Sequence, residues 1–120
     1  AVMGTQDDRF VCPQSRHAEL PDSAMEAAQR QGRLRLLAHG EKVGYTIFET
    51  TDQRQLVHLG HPEYNAGRLL TEMERDQARG DVQPPENFDP DNPLTLWRSH
   101  RNLLFQHWLW FCYQRVSLRD

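Results

Sequence analysis

Four of the seven prolines, Pro84, Pro85, Pro90 and Pro93, fall between Asp81 and Thr95. Each ring fixes φ and removes a backbone donor, so this stretch can continue neither a helix nor a central strand. It divides the chain. Regular structure upstream must end by Gly80, and regular structure downstream must start afresh near Trp97. The upstream part closes with a helix over Asn65 to about Arg79. Its apolar stripe is Ala66, Leu69, Leu70 and Met73, at helical spacing, with Gly80 as the stop. The downstream part is a single helix from about Trp97 to Val116. Leu103, Leu104, Trp108, Phe111 and Cys112 give it a wide apolar face, with Cys112 read as core. Trp110 and Tyr113 extend that face further than one buried side needs, which predicts burial on more than one side or a partner surface.

Before these helices the pattern changes period. Arg9–Pro13 (R-F-V-C-P) is a short apolar run stopped by proline and reads as a strand or strand end. Ser23–Gln31 is rich in helix formers, with Asp22 or Ser23 as N-cap and Gly32 just past the end. Leu34–His39, Val43–Thr50 and Gln55–Leu59 read as successive strands, the last two forming a hairpin. The final strand leads directly into Gly60-His61-Pro62-Glu63-Tyr64 and then the helix from Asn65, a strand-to-helix junction. Such junctions are where open α/β sheets bind ligands.

Bulk properties exclude several classes. With 14 basic and 17 acidic residues the formal net charge is −3, and the basic residues are scattered. A nucleic-acid binder would carry a basic face. No apolar run reaches the roughly 18 residues of a membrane span, and the first residues carry no basic or apolar signal-peptide region. The cysteines, Cys12 and Cys112, lie near opposite ends, which reads as two reduced thiols in a cytoplasmic protein. Absence of Cys-x-x-Cys and of His-x-x-x-His argues against a zinc site. At 120 residues the chain fits one domain.

His61 and Glu63 flank a proline that biases His61 toward extended geometry. In an extended stretch, positions two apart project to the same side. A carboxylate there can hold one imidazole nitrogen, leaving the other to take a proton from a nucleophile. On its own the spacing is weak evidence and fits better a surface histidine beside an acid that favours a helix N-terminus.

The order Gly60-His61-Pro62-Glu63-Tyr64, Glu72-x-x-Arg75-Asp76, Trp97-Arg98-Ser99-His100, Asn102-Leu103-Leu104-Phe105 and Trp108-Leu109 resembles the C-terminal region of the homoserine O-succinyltransferase family. Upstream, Asp8-x-Phe10 and Pro13-x-Ser15-Arg16 resemble the stretch leading into it. The likeness runs from about Asp7 to Gln114. It implies the C-terminal part of a class I glutamine amidotransferase-like (flavodoxin-like) three-layer α/β fold, with residues 1–120 belonging to one acyltransferase catalytic domain. It implies Cys–His–Glu ping-pong acyl transfer from succinyl-CoA or acetyl-CoA to the hydroxyl of L-homoserine, in methionine biosynthesis. No cofactor is implied beyond acyl-CoA as co-substrate. His61 matches the family's general base and Glu63 the acid that orients it. Arg75 matches the arginine that grips the substrate carboxylate, and Ser15 a serine that contacts substrate. The nucleophilic cysteine of the family lies on an earlier strand-to-helix elbow that nothing here resembles. The implied partners are an N-terminal part carrying that cysteine and, in a homodimer, a second copy; no nucleic acid or membrane is implied.

Each assignment has a plainer rival. Arg68, Glu72, Arg75 and Arg79 also form a charge ladder on one helix face, and Ser15 after a proline is a natural turn residue. Cys12, between Val11 and Pro13, has no helix start to lower its pKa and reads as a packed thiol. His100 reads as structural. The sequence departs from the family at Asn87-Phe88-Asp89-Pro90 for Asn-Tyr-Phe-Pro, at Asn65 for Asp, and at Arg101 for a small residue. The rival functions are a glutamine amidotransferase-like hydrolase sharing the His-Pro-Glu element, and a non-catalytic remnant of the fold.

Overall fold

The computed structural model describes residues 2–80 and 82–117. Asp81, at the head of the proline-rich stretch, lies outside them. The chain forms two compact units, Gln14–His61 and Ala1–Pro13 with Pro62–Asp120.

The first unit holds a helix, α1 (Asp22–Arg30), and three strands, β1 (Leu34–Gly40), β2 (Gly44–Thr50) and β3 (Leu56–His58). All pair antiparallel in the order β1-β2-β3. The three strands and the hairpin follow the alternation in the sequence. β2 is central, and Thr46, Ile47, Phe48 and Glu49 are all buried, Ile47 completely. Met25 and Ala28 of α1 are buried where the helix packs on β1 and β2. Gly32, at φ +71°, ends that helix. The Arg33 N–H reaches back to the Ala28 carbonyl at 3.0 Å, a Schellman closure that needs a left-handed residue. Gly44, at φ +69°, begins β2, and a β-carbon there would lie 2.7 Å from Asp22 Oδ1.

One expectation is corrected in this unit. The N-cap of α1 is Pro21, with no side-chain cap. The Asp22 carboxylate is engaged instead by His39 Nε2, 2.7 Å away on β1. The sheet at the strand-to-helix junction is antiparallel, and no parallel strand pair occurs among the described residues.

The second unit contains α2 (Ala66–Ala78) and α3 (Arg98–Ser117). Asn65 caps α2, its side chain accepting from the Arg68 N–H at 2.8 Å, an arrangement worth about 1 kcal/mol. Gly80 follows the helix end at φ +85°. Ala66 and Leu69 are buried as the stripe requires, with Glu72 beside them. On α3, His100 and Leu104 are buried, as is Trp97 just before it. Beyond them Phe105, Trp108, Leu109, Trp110, Tyr113 and Val116 are exposed. Cys112, expected in the core, is only half-buried, because the apolar face around it has no cover among the described residues. No strand forms over Arg9–Pro13. Phe10 stacks on His100 at 3.8 Å between ring centroids, so its apolar surface is buried against a helix rather than in a sheet. No helix among the described residues is long and apolar enough to cross a membrane.

Candidate active site

β3 brings the chain to its junction. The Leu59 N–H bonds the Thr46 carbonyl at 2.8 Å, extending the pairing one residue past β3. The Gly60 N–H then donates to His58 Nδ1 at 3.1 Å, turning the backbone sharply before His61. His61 is half-buried. Its Nε2 lies 3.3 Å from the Ser15 carbonyl oxygen. A carbonyl can only accept, so Nε2 carries the proton, and in the neutral ring Nδ1 holds the lone pair. The structure thus brings together two of the sequence-predicted residues, through the backbone of Ser15 rather than its hydroxyl.

Glu63 and Arg75 belong to the second unit. Glu63 is exposed, directly after the buried Pro62. Arg75 lies on the outer face of α2, with Nε donating to Asp76 Oδ1 at 2.8 Å and Nη1 3.9 Å from Glu72 Oε1. The Asp76 hydrogen bond holds the guanidinium above its ordinary pKa. The charge ladder is therefore real, but its centre is not solvated. Glu72 is 7% exposed. It also takes Arg68 Nη2 at 3.1 Å and accepts from the Tyr64 hydroxyl at 2.9 Å.

Tyr64 joins this group to the start of α3. The Trp97 indole Nε1–H donates to the Tyr64 carbonyl at 2.7 Å, and Arg101 Nη1 donates to the same oxygen at 3.3 Å. The Arg68 guanidinium sits over the Tyr64 ring, 5.5 Å from its centroid. Burial, and then the bond to Glu72, raise the Tyr64 phenol above its ordinary pKa and keep it a donor.

Sequence reasoning missed Glu72, Tyr64, Trp97 and Arg101. For Glu72 a signal existed: it continues the three-residue step of Ala66 and Leu69, with arginines at −4 and +3. A carboxylate on an apolar stripe between two cations is a buried acid with partners in place. Cys12 is half-buried, its thiol 3.7 Å from the Pro13 carbonyl. His100 is buried, and desolvation lowers its pKa, as suits a neutral structural ring.

Residues 1–118 match the sequence model of the family described as Homoserine O-succinyltransferase. Named relatives carry both acyl donors. The chain is 41% identical over 115 residues to a homoserine O-succinyltransferase of Proteus mirabilis (strain HI4320), covering 90% of this chain and 36% of that protein. It is 37% identical over 117 residues to a homoserine O-acetyltransferase of Clostridium novyi (strain NT), covering 92% and 38%. A homoserine O-acetyltransferase of Geobacillus sp. (strain WCH70) is 40% identical over 117 residues, again covering 92% and 38%. The chain thus spans somewhat over a third of the length of the curated relatives it matches. With nearly every residue inside the matched region, the chain belongs to the homoserine O-succinyltransferase family.

Proposed function

We propose that this chain supplies the His–Glu half of a Cys–His–Glu acyltransferase site, acting on an acyl-CoA and L-homoserine. The observation that carries the reading is His61: a half-buried histidine at the strand-to-helix junction, its Nε2–H directed to a backbone carbonyl. A ring held at one nitrogen presents the other in a fixed direction, which a general base requires. In the first half-reaction His61 takes the cysteine proton, the thiolate attacks the thioester carbonyl, and coenzyme A leaves as its thiol with that proton. In the second the homoserine hydroxyl attacks the acyl-cysteine, His61 takes the hydroxyl proton, and the cysteine sulfur departs. In the working site the Nε2–H passes from the Ser15 carbonyl to the Glu63 carboxylate, which orients the imidazole and stabilises its charged form. Arg75 offers the part of its fork not used by Asp76 to the α-carboxylate of homoserine.

The nucleophile comes from a further segment of the enzyme, in a glutamine amidotransferase-like domain to which this chain contributes one part. Cys12 and Cys112 suit packing: both are half-buried, and neither lies at the start of a described helix. The working enzyme in this reading is a cytoplasmic homodimer. Relatives named for either donor match comparably, so the donor is left to the segment that bears the cysteine.

The test is a chimera in which residues 1–118 replace the matched region of the Proteus mirabilis relative. Acyl-CoA-dependent acylation of homoserine is expected. A chimera that folds, leaves homoserine unacylated and instead releases ammonia from glutamine would move the chain to the hydrolase reading.

A further inference from the structure

The pentapeptide Gly60–Tyr64 lies between β3 and α2 and makes no helix or strand of its own. A catalytic carboxylate on such a stretch must be held by something else. The stretch is fastened firmly at the residue next to Glu63. The Tyr64 carbonyl receives two donors, the Trp97 indole at 2.7 Å and Arg101 at 3.3 Å. The Tyr64 hydroxyl is tied to Glu72 at 2.9 Å and its ring lies under Arg68. Trp97 is 4% exposed, so its indole N–H has no water to turn to and its ring has no room to swing.

We infer that Trp97 and Arg101 are positioning residues that fix the Glu63 carboxylate by holding the Tyr64 carbonyl. The inference rests on the reading above, in which Glu63 orients His61. The held carbonyl and the held ring together fix the Tyr64 α-carbon and the direction of its N–Cα bond, from which one planar peptide unit leads to the Glu63 α-carbon. Fixing the carbonyl therefore restricts the direction in which Glu63 leaves the backbone. Losing the Trp97 bond frees rotation about the Tyr64 backbone, and Glu63 then samples directions that do not reach an imidazole. Arg101 reinforces the hold from the first turn of α3.

The test is a double-mutant cycle in the chimeric enzyme, pairing Trp97→Phe with Glu63→Gln. Phenylalanine keeps an aromatic ring in the pocket and removes only the donor. Trp97→Phe should lower kcat about tenfold while KM for homoserine stays within about twofold. In the Glu63→Gln background the same change should lower kcat by less than about twofold, because there is no longer a carboxylate to misplace. The acid limb of the pH–rate profile should move to lower pH in Trp97→Phe and in Glu63→Gln alike, since both weaken the anion that favours the charged imidazole. Equal fold-losses in both backgrounds, or no loss from Trp97→Phe, would overturn the inference while leaving the role of Glu63 intact. An unchanged kcat in Glu63→Gln alone would overturn the role of Glu63 and the inference with it. If Trp97→Phe does not fold, Arg101→Met, on the half-buried second donor, goes through the same cycle with the same criteria.

Discussion

The His61 ring donates its Nε2–H to the backbone carbonyl of Ser15, 3.3 Å away. At that length the bond is at the weak end of the N–H···O range. It orients the ring without committing it, which suits the proposed general base, a ring that would accept and return a proton. The contact also gives Ser15 a role that its hydroxyl does not carry. Substituting the Ser15 side chain leaves the carbonyl in place, so Ser15→Ala should keep this contact.

Arg75→Lys should raise KM for homoserine about tenfold, the value of one charge-assisted hydrogen bond, with kcat much less affected. Lysine keeps the charge and loses the planar fork. Steady-state kinetics of the chimera with homoserine varied at saturating acyl-CoA checks this. An unchanged KM would leave Arg75 as a member of the α2 charge ladder alone.

The elements of the fold were legible where periodicity and stop residues agree. The three strands, α2 and α3 lie within a residue or two of their expected bounds, because Gly32, Gly80 and the prolines mark ends that backbone sterics enforce. The strand expected over Arg9–Pro13 failed because a five-residue apolar run does not say what will cover it, and Phe10 is covered by the His100 ring. The cap expected at Asp22 or Ser23 failed because the Asp22 carboxylate had a better partner, His39, that is distant in sequence. In the site, Arg75 and Glu72 could be placed on α2 from spacing. The convergence of Tyr64, Trp97 and Arg101 could not, because it joins residues more than thirty positions apart. Asn65, a departure from the family's usual acid, serves as the side-chain cap of α2, which either residue can do.

Tyr64→Phe should destabilise the protein by about 1–2 kcal/mol. It removes the hydroxyl donor to Glu72 and leaves that buried carboxylate with one hydrogen-bonding partner fewer. Urea denaturation should show a lower midpoint at an unchanged slope. A midpoint equal to that of the parent would mean that Arg68 or water replaces the hydroxyl without cost.

Stability should fall as pH drops below about 6.5, and His100 should contribute to the fall. Burial holds its folded-state pKa below the unfolded value, which is about 6.5. Above that pH both states are neutral and the residue contributes no pH dependence. Below it the unfolded chain takes up a proton that the folded chain resists, so stability is lost until the folded pKa is passed. Thermal unfolding of His100→Gln followed from pH 7.5 to pH 5 should show a shallower decline than the parent. Parallel declines would place the sensitivity elsewhere.

The chain by itself should not acylate homoserine. Cys12 sits beside a proline carbonyl and within 4.8 Å of a ring nitrogen of the buried His100, Cys112 lies among the aromatic residues of α3, and neither is at the start of a described helix. Purified residues 1–120 assayed with acyl-CoA and homoserine should give no turnover, and Cys12→Ser should change nothing. Robust turnover abolished by Cys12→Ser would make Cys12 the nucleophile and end the partial-site account.

The most direct measurement is single-turnover acyl transfer in the chimera with and without His61. His61→Ala should lower the rate roughly 10²–10⁴-fold, the range of a positioned general base, and millimolar imidazole should restore part of it. A His61→Ala chimera that transfers the acyl group at a rate within about threefold of the parent would contradict the account, because that is far less than a general base contributes.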